Sequence, residues 1–373
     1  MPPGGPPDAA APQILSITPD SGKVAVRPRE VLFQFDEVVS ERPQGVTTLA
    51  DLFIISPRTG APQTSWHRDA IGVRPAHGWR ANTPYTVIML KGLADIRGNV
   101  RNTGASTFFS TGSAIPSTRI VGTVFDWVTG APAAGALVES FVPPDSLHPY
   151  TALVDSNGAY SMEHVPVGRY LVRSYLDRNK NLSIDPSEPW DSTTIALTDS
   201  IRSTFLLFVH DTVAPRIREV RQTDSVTLQV VFDRPIDPDR GVTPANFAVI
   251  GPDSVAVPIL SVGPPVIDTT AKPTPAVTPR PTPPLGRPAP ARRDTTPAIV
   301  KPVMPRPAPI SEVVVKLGRP LIPKAVYRVR AIGVRGLLGK IGDSERTYTP
   351  PAPPPPPAEK TAAPTASSTP SRK

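Results

Sequence analysis

The fold of the central region is decided by the stretch Ile120-Val-Gly-Thr-Val-Phe-Asp-Trp-Val-Thr-Gly130, which opens a series of short β-prone segments extending to Pro189. Branched and aromatic residues alternate there with turn sequences, among them Asn157-Gly158 and Pro166-Val-Gly168. Glycine and asparagine tolerate the positive φ angles of tight turns, and proline fixes φ, so such sequences end strands. The pattern predicts a small antiparallel β-sandwich.

The same region resembles the carboxypeptidase regulatory-like, or prealbumin-like, β-sandwich. The resemblance is carried by G-x-V-x-D at 122–126, P-x-x-G-A-x-V at 132–138, V-D-x-N-G-x-Y at 154–160 and V-P-x-G-x-Y at 165–170. We expect this domain to span residues 116–209. The module accompanies carboxypeptidases without being their catalytic part, so the resemblance implies a non-catalytic sandwich.

Residues 11–112 carry a second strand-rich pattern. Val31, Phe33 and Phe35 alternate with Leu32, Gln34 and Asp36, which predicts a half-buried strand. Four further features are F-x-E-x-V at 35–39, N-T-x-Y-T-V at 82–87, D-x-x-G-N at 95–99 and F-x-S-T at 108–111. Together they resemble a bacterial Ig-like domain of the S-layer (SbsA-like) type. We expect its large aromatic residues to lie in the core, namely Trp66, Trp79 and Tyr85.

Residues 213–349 repeat the first domain in degenerate form. The paired segments are Ala214–Ile217 with Ala11–Ile14, Val226–Asp233 with Val31–Asp36, Ala245–Ile250 with Asp51–Ile55, and Val326–Val334 with Thr83–Gly92. A proline-rich insert at 264–309 interrupts this second Ig-like domain, and we expect the flanking strands, Val255–Val262 and Val313–Leu317, to pair. The predicted fold class is all-β: tandem antiparallel β-sandwiches (Ig-like, prealbumin-like, Ig-like) with proline-rich disordered segments.

Proline contributes 52 of the 373 residues and is dense in three segments, 1–10, 264–309 and 350–373. Such sequences favour extended conformations and bury little apolar surface, so we predict that all three are disordered. The net charge is +8, and the insert contributes seven Lys and Arg against two Asp. The tail contributes three against one Glu. Because the rest of the chain is nearly neutral, we expect no specific nucleic-acid binding, while loose contact with an anionic surface stays open.

The N-terminal sequence suggests where the protein resides. Gly4-Gly-Pro-Pro-Asp8 is similar to the Gly-Gly-Pro-x-Asp segment that follows the lipid-bearing Cys of bacterial surface lipoproteins with Ig-like domains. The resemblance implies a cell-envelope location, at the outer-membrane surface or in the periplasm, with a lipid anchor encoded upstream of Met1. A plain flexible tail is the other interpretation. We expect membrane contact only through that anchor, because the apolar run Phe205–Val209 is far too short to span a bilayer.

The sequence contains no recognisable catalytic motif. It has no Cys, its five His residues have no partners at zinc-ligand spacing, and it lacks G-x-S-x-G, P-loop and G-x-G-x-x-G sequences. Its scattered Asp residues are typical of turns. We therefore predict that the chain is not an enzyme.

One loop carries side chains of the kind that bind calcium. Positions 1, 3, 5, 7, 9 and 12 of a D-x-N-x-N loop are occupied by Asp177, Asn179, Asn181, Ser183, Asp185 and Glu188. Oxygen ligands on alternate residues, closed by a bidentate carboxylate, are the arrangement of EF-hand loops. The sequence departs from it because Leu182 takes the sixth position, where glycine makes a sharp turn, and because Tyr170–Leu176 has the pattern of a strand. Calcium binding and a solvated Asn- and Asp-rich turn are the two interpretations.

The predicted function is that of a non-catalytic, structural or adhesive lipoprotein-like module of the cell surface or periplasm. Its expected partner is a cell-envelope protein or polysaccharide. The first alternative is a carbohydrate-binding accessory protein, because prealbumin-like sandwiches are similar to starch-binding folds. Exposed aromatic rings would be needed, and the candidates in the middle domain are Trp127, Tyr150 and Trp190. The second alternative is an enzyme without a known motif, which would need convergent carboxylates or histidines in a cleft.

Overall fold

The computed structural model describes residues 9–265 and 304–352. Much of the three segments predicted to be disordered, at 1–8, 266–303 and 353–373, lies outside the described residues. The described chain is all-β, as predicted: it forms 22 strands and two short 3-10 helices, and it contains no α-helix. No helix in this part of the chain is long and apolar enough to cross a membrane.

The described residues divide into two compact units. One contains the chain up to Asp211 together with residues 304–309, and the other contains Thr212 to residue 265 together with the chain from Ile310 onward. The first unit holds two separate hydrophobic cores, and the second unit holds one. Each core is built from the strands of one sandwich.

Seven strands form the first sandwich. They are β1 (Ile14–Thr18), β2 (Val31–Phe35), β3 (Phe53–Ser56), β4 (Gln63–Trp66), β5 (Ala70–Arg74), β6 (Pro84–Met89) and β7 (Ala105–Ser110). One sheet has the order β1-β2-β5-β4, and the other has the order β3-β6-β7. A 3-10 helix, Leu49–Leu52, precedes β3. The hairpin between β4 and β5 is closed by residues 67–69 alone.

Strand β2 confirms the alternation expected from its sequence. Val31, Phe33 and Phe35 are at most 1% exposed, whereas Leu32 and Gln34 are half-buried. Burying a side chain of this size contributes roughly 1.5–3 kcal/mol relative to leaving it in water. The inward face of β2 is therefore a major part of the first core.

The large aromatic residues of the first sandwich divide between core and edge. Tyr85 is fully buried, and Trp79 packs edge-on against it with ring centroids 4.8 Å apart. Trp66 was expected in the core, but it is 37% exposed. It ends the edge strand β4, where its indole N–H donates a hydrogen bond to the carbonyl oxygen of Val39 at 3.0 Å. The edge position explains why an alternating aromatic residue remains partly in solvent.

Seven strands of one sheet form the middle sandwich. They are β8 (Arg119–Asp126), β9 (Leu137–Phe141), β10 (Tyr150–Leu153), β11 (Ala159–Glu163), β12 (Gly168–Tyr175), β13 (Pro189–Leu197) and β14 (Ile201–Val209). Their order is β10-β9-β12-β13-β14-β8-β11. Strands β13 and β14 pair only through Pro189 with Val209 and Trp190 with Phe208. Because one core takes residues from both halves of the sheet, the sheet folds over at this short junction into two layers.

One strand pair differs from the predicted antiparallel arrangement. Strands β8 and β14 run parallel from Ile120 opposite Ile201 to Asp126 opposite Leu207. Parallel neighbours require a long crossover connection, and here strands β9 to β13 supply it. A turn-and-strand pattern specifies hairpins between successive strands, so it could not indicate this pairing between the first and last strands of the domain.

The second unit repeats the strand order of the first sandwich. Its strands are β15 (Ile217–Asp224), β16 (Thr227–Ile236), β17 (Phe247–Ile250), β18 (Ala256–Val257), β19 (Ile259–Gly263), β20 (Ile310–Leu317), β21 (Tyr327–Arg335) and β22 (Ile341–Tyr348). The sheet β15-β16-β20-β19 corresponds to β1-β2-β5-β4, and β17-β21-β22, extended by β18, corresponds to β3-β6-β7. Strands β19 and β20 are adjacent antiparallel partners, with Val262 opposite Val315. The insert thus enters at the position where the first sandwich has a three-residue hairpin turn.

The first sandwich and the second unit also share a tyrosine-centred hydrogen bond. The hydroxyl oxygen of Tyr85 accepts the backbone N–H of Arg80 at 2.8 Å, and that of Tyr327 accepts the N–H of Ile322 at 2.9 Å. In each case the tyrosine bonds to the residue five positions before it, at the start of the corresponding strand. The local repeat therefore extends from strand order to individual contacts.

Candidate functional site

The loop predicted to bind calcium connects β12 to β13. Asp177 begins it and accepts the backbone N–H groups of Asn181 and Leu182, at 3.1 and 2.8 Å. Leu182 has a φ of 59°, which lies in the left-handed region that glycine enters without strain. The sixth position of the loop therefore makes the sharp turn of an EF-hand-type loop despite its leucine side chain.

The amides and carboxylates of this loop are bonded to one another and to its backbone. The Nδ2 groups of Asn179 and Asn181 both donate to Oδ2 of Asp185, at 2.6 and 3.1 Å. Glu188 is 2% exposed and accepts the N–H groups of Arg178 and Asp185, at 2.7 and 3.1 Å. Glu188 therefore closes the loop at its twelfth position through backbone contacts.

All six predicted ligands belong to one connected network, because Ser183 donates its N–H to Oδ1 of Asn181 at 2.8 Å. Within the described residues, no group of three or more His, Cys, Asp and Glu side chains is arranged to hold a metal ion. Calcium binding would require Asn179 and Asn181 to present their amide oxygens in place of the N–H groups now bonded to Asp185. An asparagine side chain makes that exchange by rotating its amide.

A buried ion-pair cluster links this loop to the first sandwich. Glu139 on β9 is fully buried, and its Oε2 accepts Nε and Nη2 of Arg173 at 2.9 and 2.8 Å. Its Oε1 accepts a hydrogen bond from Nε of Arg58 at 2.6 Å and another from the Tyr175 hydroxyl at 3.1 Å. Arg58 belongs to the first sandwich and lies just after β3. Burial, reinforced by the Glu139 charge, raises the pKa of the Tyr175 phenol, so the phenol remains a donor. Arg58 also donates to the carbonyl oxygen of Leu182 at 3.0 Å.

Two further hydrogen bonds with backbone donors cross the junction between the first and middle sandwiches. The N–H of Arg58 donates to the carbonyl oxygen of Pro149 at 2.9 Å, and the N–H of Thr151 donates to Oγ of Ser56 at 2.9 Å. Sequence reasoning did not identify Arg58 or Glu139 as partners. The available signal was a single carboxylate in the otherwise uncharged strand Leu137–Phe141, all of which is buried.

The aromatic residues expected for carbohydrate binding do not form an open platform. Trp127 is 3% exposed, and Tyr150 and Trp190 are half-buried. The ring of Trp190 packs against His210 with centroids 3.8 Å apart. Burial raises the pKa of the Tyr150 phenol, which reflects how little of that ring reaches solvent. A sugar-stacking face of exposed rings is therefore not present at these three positions.

A polar concavity of about 480 Å³ on the first sandwich is the feature most relevant to an enzymatic role. It is lined by Arg29, Glu30, Gln63, Thr64, Ser65 and Arg74. Ser65 donates its hydroxyl to Oε2 of Glu30, and Nε2 of the adjacent His67 is 3.6 Å from Oε1 of Glu30. In a nucleophilic triad the histidine lies between the serine and the carboxylate. Here the carboxylate lies between them, so the histidine is not placed to activate Ser65.

Residues 8–111 match one protein family, described as the bacterial Ig-like domain. The match covers the first sandwich, and its two sheets of four and three antiparallel strands agree with that description. No curated protein matches the chain. By its strand order and this match, the first sandwich is similar to a bacterial Ig-like domain.

Solved structures give weaker likenesses. The N-terminal part of the bacterial S-layer protein SbsC is 18% identical over 38% of this chain and 25% of that chain, with a TM-score of 0.23. Domains 1–6 of surface layer protein SbsC are 10% identical over 93% of this chain and 55% of that chain, with a TM-score of 0.21. BcpA, the major pilin subunit of Bacillus cereus, is 10% identical over 53% and 70%, with a TM-score of 0.20. The chain thus spans about a quarter of the first S-layer chain and about half of the second. TM-scores this low do not support a structural comparison.

Proposed function

We propose that the protein is a non-catalytic module of the bacterial cell envelope with a structural or adhesive role. The observation that carries the proposal is the bacterial Ig-like domain at 8–111, whose strand order recurs in the second unit. Sandwiches of this architecture are common in cell-surface proteins. The cluster around Glu139 supports the role, since it joins two successive sandwiches into one compact unit that can transmit force or hold a binding surface at a fixed distance.

The test is the location of the full-length protein in its native bacterium. We expect it in the envelope fraction, and we expect a membrane-impermeant biotin reagent to label its lysines in intact cells or after selective permeabilisation of the outer membrane. A known cytosolic protein and a known periplasmic protein serve as controls. Recovery in the cytosolic fraction, unlabelled under both conditions, would contradict an envelope role.

Lipid anchorage is the more specific form of this proposal. It is supported by the Gly4-Gly-Pro-Pro-Asp8 segment directly before an Ig-like domain. The native protein should then incorporate labelled palmitate and partition into the detergent phase of a Triton X-114 extraction. An envelope protein that takes up no lipid would leave the structural role intact and reject the anchor.

We also propose that the loop from Asp177 to Glu188 binds calcium. The left-handed backbone at Leu182 and the two N–H groups donated to Asp177 support an EF-hand-type winding. A ligand that binds only the folded state adds RT ln(1 + [L]/Kd), about 2.7 kcal/mol at a hundredfold excess over Kd. The melting temperature should therefore rise with calcium and fall with EGTA.

A matched pair of variants separates calcium binding from general loop stability. Asp185→Asn retains an amide oxygen but removes a charge, and it should abolish most of the calcium-dependent rise in melting temperature. Asp155→Asn alters another loop aspartate, which accepts two backbone N–H groups at 2.8 Å, and it should leave the rise intact. Identical melting of the unaltered protein in calcium and in EGTA would reject the site and favour the solvated turn.

A further inference from the structure

The middle sandwich holds a proline-rich segment of its own chain. The indole Nε1–H of Trp127 donates a hydrogen bond to the carbonyl oxygen of Pro307 at 2.9 Å. The guanidinium of Arg306 lies over the same ring, 4.3 Å from its centroid. Residues 304–309 belong to the same compact unit as Trp127. The segment therefore uses both the polar edge and the π face of one tryptophan.

Contacts within the middle sandwich hold Trp127 in place independently of this segment. Its backbone N–H donates to the carbonyl oxygen of Leu207 at 2.9 Å. Its ring meets Phe208 edge-on at 5.3 Å between centroids, and Phe208 in turn packs against His210 at 4.4 Å. A side chain held by its own sheet in this way loses little further freedom when a ligand binds.

The segment is equally restricted by its sequence, Met304-Pro-Arg-Pro-Ala-Pro309. Each proline fixes its own φ near −65°, and each of the other three residues precedes a proline and is driven towards extended backbone. The last proline is buried, whereas Arg306 keeps an exposed surface. Restricted, extended proline-rich peptides on aromatic residues are a recurrent recognition mode because little entropy is lost on docking.

The docked tetrapeptide is not unique in the sequence. Arg-Pro-x-Pro occurs three times in the chain, at 280–283, 287–290 and 306–309, and the last two copies are both Arg-Pro-Ala-Pro. All three lie within the insert, and only the third falls among the described residues. The cation–π contact at Trp127 needs an arginine, and the indole hydrogen bond needs the backbone carbonyl oxygen of the proline that follows it. Each copy supplies both groups.

We propose that the surface centred on Trp127 is a binding site for Arg-Pro-x-Pro peptides, with residues 306–309 as the ligand bound in cis. The arginine gives the site its preference for a basic peptide, and the Pro307 carbonyl fixes the position of the peptide through the indole N–H. The insert is thereby tied to the middle sandwich at its C-terminal end. Peptides of the same sequence compete with the cis segment.

Competition from the cis segment weakens the apparent affinity of the Trp127 site for a free peptide. A ligand tethered through a short linker has an effective concentration on the order of millimolar. If a free peptide binds the open site with a Kd of about 0.1 mM, the tethered segment raises its apparent Kd by about tenfold. Removal of the cis ligand should therefore reveal peptide binding that the unaltered protein largely masks.

The experiment follows the four tryptophan indole N–H resonances of the ¹⁵N-labelled full-length protein, with Trp127→Phe used to assign one of them. In the variant Arg280→Ser, Arg287→Ser, Arg306→Ser, all three motifs lose their arginine, and the Trp127 resonance should shift. Added acetyl-Met-Pro-Arg-Pro-Ala-Pro-amide should return it towards its original position. The unaltered protein should need about tenfold more peptide for any response.

Three controls make the proposal falsifiable. A peptide with Ser in place of Arg should bind at least several-fold more weakly, and Trp66→Phe should leave peptide binding unchanged. Trp127→Phe in the triple variant keeps a packed ring but removes the indole N–H, and isothermal titration calorimetry, which does not depend on the lost Trp127 resonance, should show weaker binding of the peptide. The proposal fails if the triple substitution leaves the Trp127 resonance in place, if the peptide binds the altered and unaltered proteins equally, or if binding survives Trp127→Phe undiminished.

Discussion

Arg58 and Glu139 lie in different sandwiches, yet Nε of Arg58 is 2.6 Å from Oε1 of a Glu139 carboxylate that is fully buried. Removing a carboxylate from water costs several kcal/mol, and the cost is offset only when its oxygens are paired and hydrogen-bonded. Glu139 meets that condition with donors from both sides of the junction. Separation of the first and middle sandwiches would remove Arg58 from the buried carboxylate and leave it with Arg173 and Tyr175 alone.

We predict that Arg58→Ala lowers the free energy of unfolding of this unit by about 3 kcal/mol, because removal of one partner leaves a buried charge incompletely paired. The matched control is Arg80→Ala. Arg80 also reaches across to the middle sandwich, but its pair with Asp145 is 3.4 Å long and both side chains are nearly half exposed. That loss should be below about 1 kcal/mol. Chemical denaturation measures both, and equal losses would show that the buried pair does not couple the sandwiches.

The Tyr85 and Tyr327 hydroxyls accept equivalent backbone hydrogen bonds. We therefore predict that Tyr85→Phe and Tyr327→Phe destabilise their respective units by similar amounts. Each substitution keeps the buried ring and removes the acceptor of one backbone N–H, from Arg80 and from Ile322 respectively. The expected loss is about 1–2 kcal/mol in each case. Thermal unfolding followed by circular dichroism checks it. A loss confined to one of the two units would mean that the shared contact does not carry the same energy in both sandwiches.

Gly122 allows a third prediction, which concerns the parallel pair β8 and β14. A Cβ at this position would lie 1.7 Å from the carbonyl oxygen of Ser203, so Gly122→Ala must push the two strands apart. We expect a loss of about 3 kcal/mol. Gly135→Ala is the control in the same sandwich: no atom lies within 4 Å of its added Cβ, and only its φ of 81° opposes the change. That control should cost about 1–2 kcal/mol. Equal losses would indicate that strand approach at Gly122 is unimportant.

Much of the fold follows from local sequence patterns. The alternation of Val31, Phe33 and Phe35 specifies which face of β2 is buried, because successive side chains point to opposite sides of a strand. The internal repeat likewise predicts a second sandwich with the strand order of the first, since Val226–Asp233 carries the same strand pattern. These signals lie within a few residues of each other, and that closeness is why they can be recognised in one sequence.

The contacts that define the candidate sites are not local. Arg58 and Glu139 are 81 residues apart, and Trp127 and Pro307 are 180 residues apart. Each residue alone has an ordinary surface or core interpretation, and only the folded chain shows the partner. The loop predicted to bind calcium is the opposite case: the sequence pattern of its candidate ligands is local, but whether Leu182 could adopt a left-handed backbone depended on the whole loop.

A fourth prediction concerns pH. Burial lowers the pKa of His210 below its ordinary value of 6.5, against the opposing charge of Asp191 and a contact with the Trp190 backbone. Above pH 6.5 the imidazole is neutral in both folded and unfolded protein, so its contribution is constant. Below pH 6.5 the unfolded chain binds the proton first, and stability should decline until pH passes the lower, folded pKa.

The measurement is the melting temperature of the full-length protein between pH 7.5 and pH 5. His210→Phe, which retains an aromatic ring against Phe208 and Trp190, should remove a distinct part of the decline. His77→Gln, at an exposed position, should leave the decline unchanged. The prediction is wrong if the His210 and His77 variants show the same pH dependence.

The fifth prediction concerns the strained backbone of Leu182 and its effect on stability with and without calcium. A leucine in the left-handed region costs about 1–2 kcal/mol, and glycine costs about 0.5–1 kcal/mol in added flexibility of the unfolded chain. Leu182→Gly should therefore stabilise the protein by up to about 1.5 kcal/mol in EGTA. The backbone carbonyl oxygen at this position should still accept the hydrogen bond from the Arg58 guanidinium.

The same substitution restores the residue that EF-hand loops use at the sixth position, so it should also enlarge the calcium-dependent rise in melting temperature. Arg68→Gly separates the two effects, because Arg68 has a φ of 70° in the hairpin between β4 and β5, remote in sequence from the loop. It should relieve strain without altering the response to calcium. Equal stabilisation by Leu182→Gly in calcium and in EGTA would mean that the loop is strained but does not bind the ion. Destabilisation in EGTA would mean that the packing of the half-buried leucine side chain outweighs the strain of its backbone.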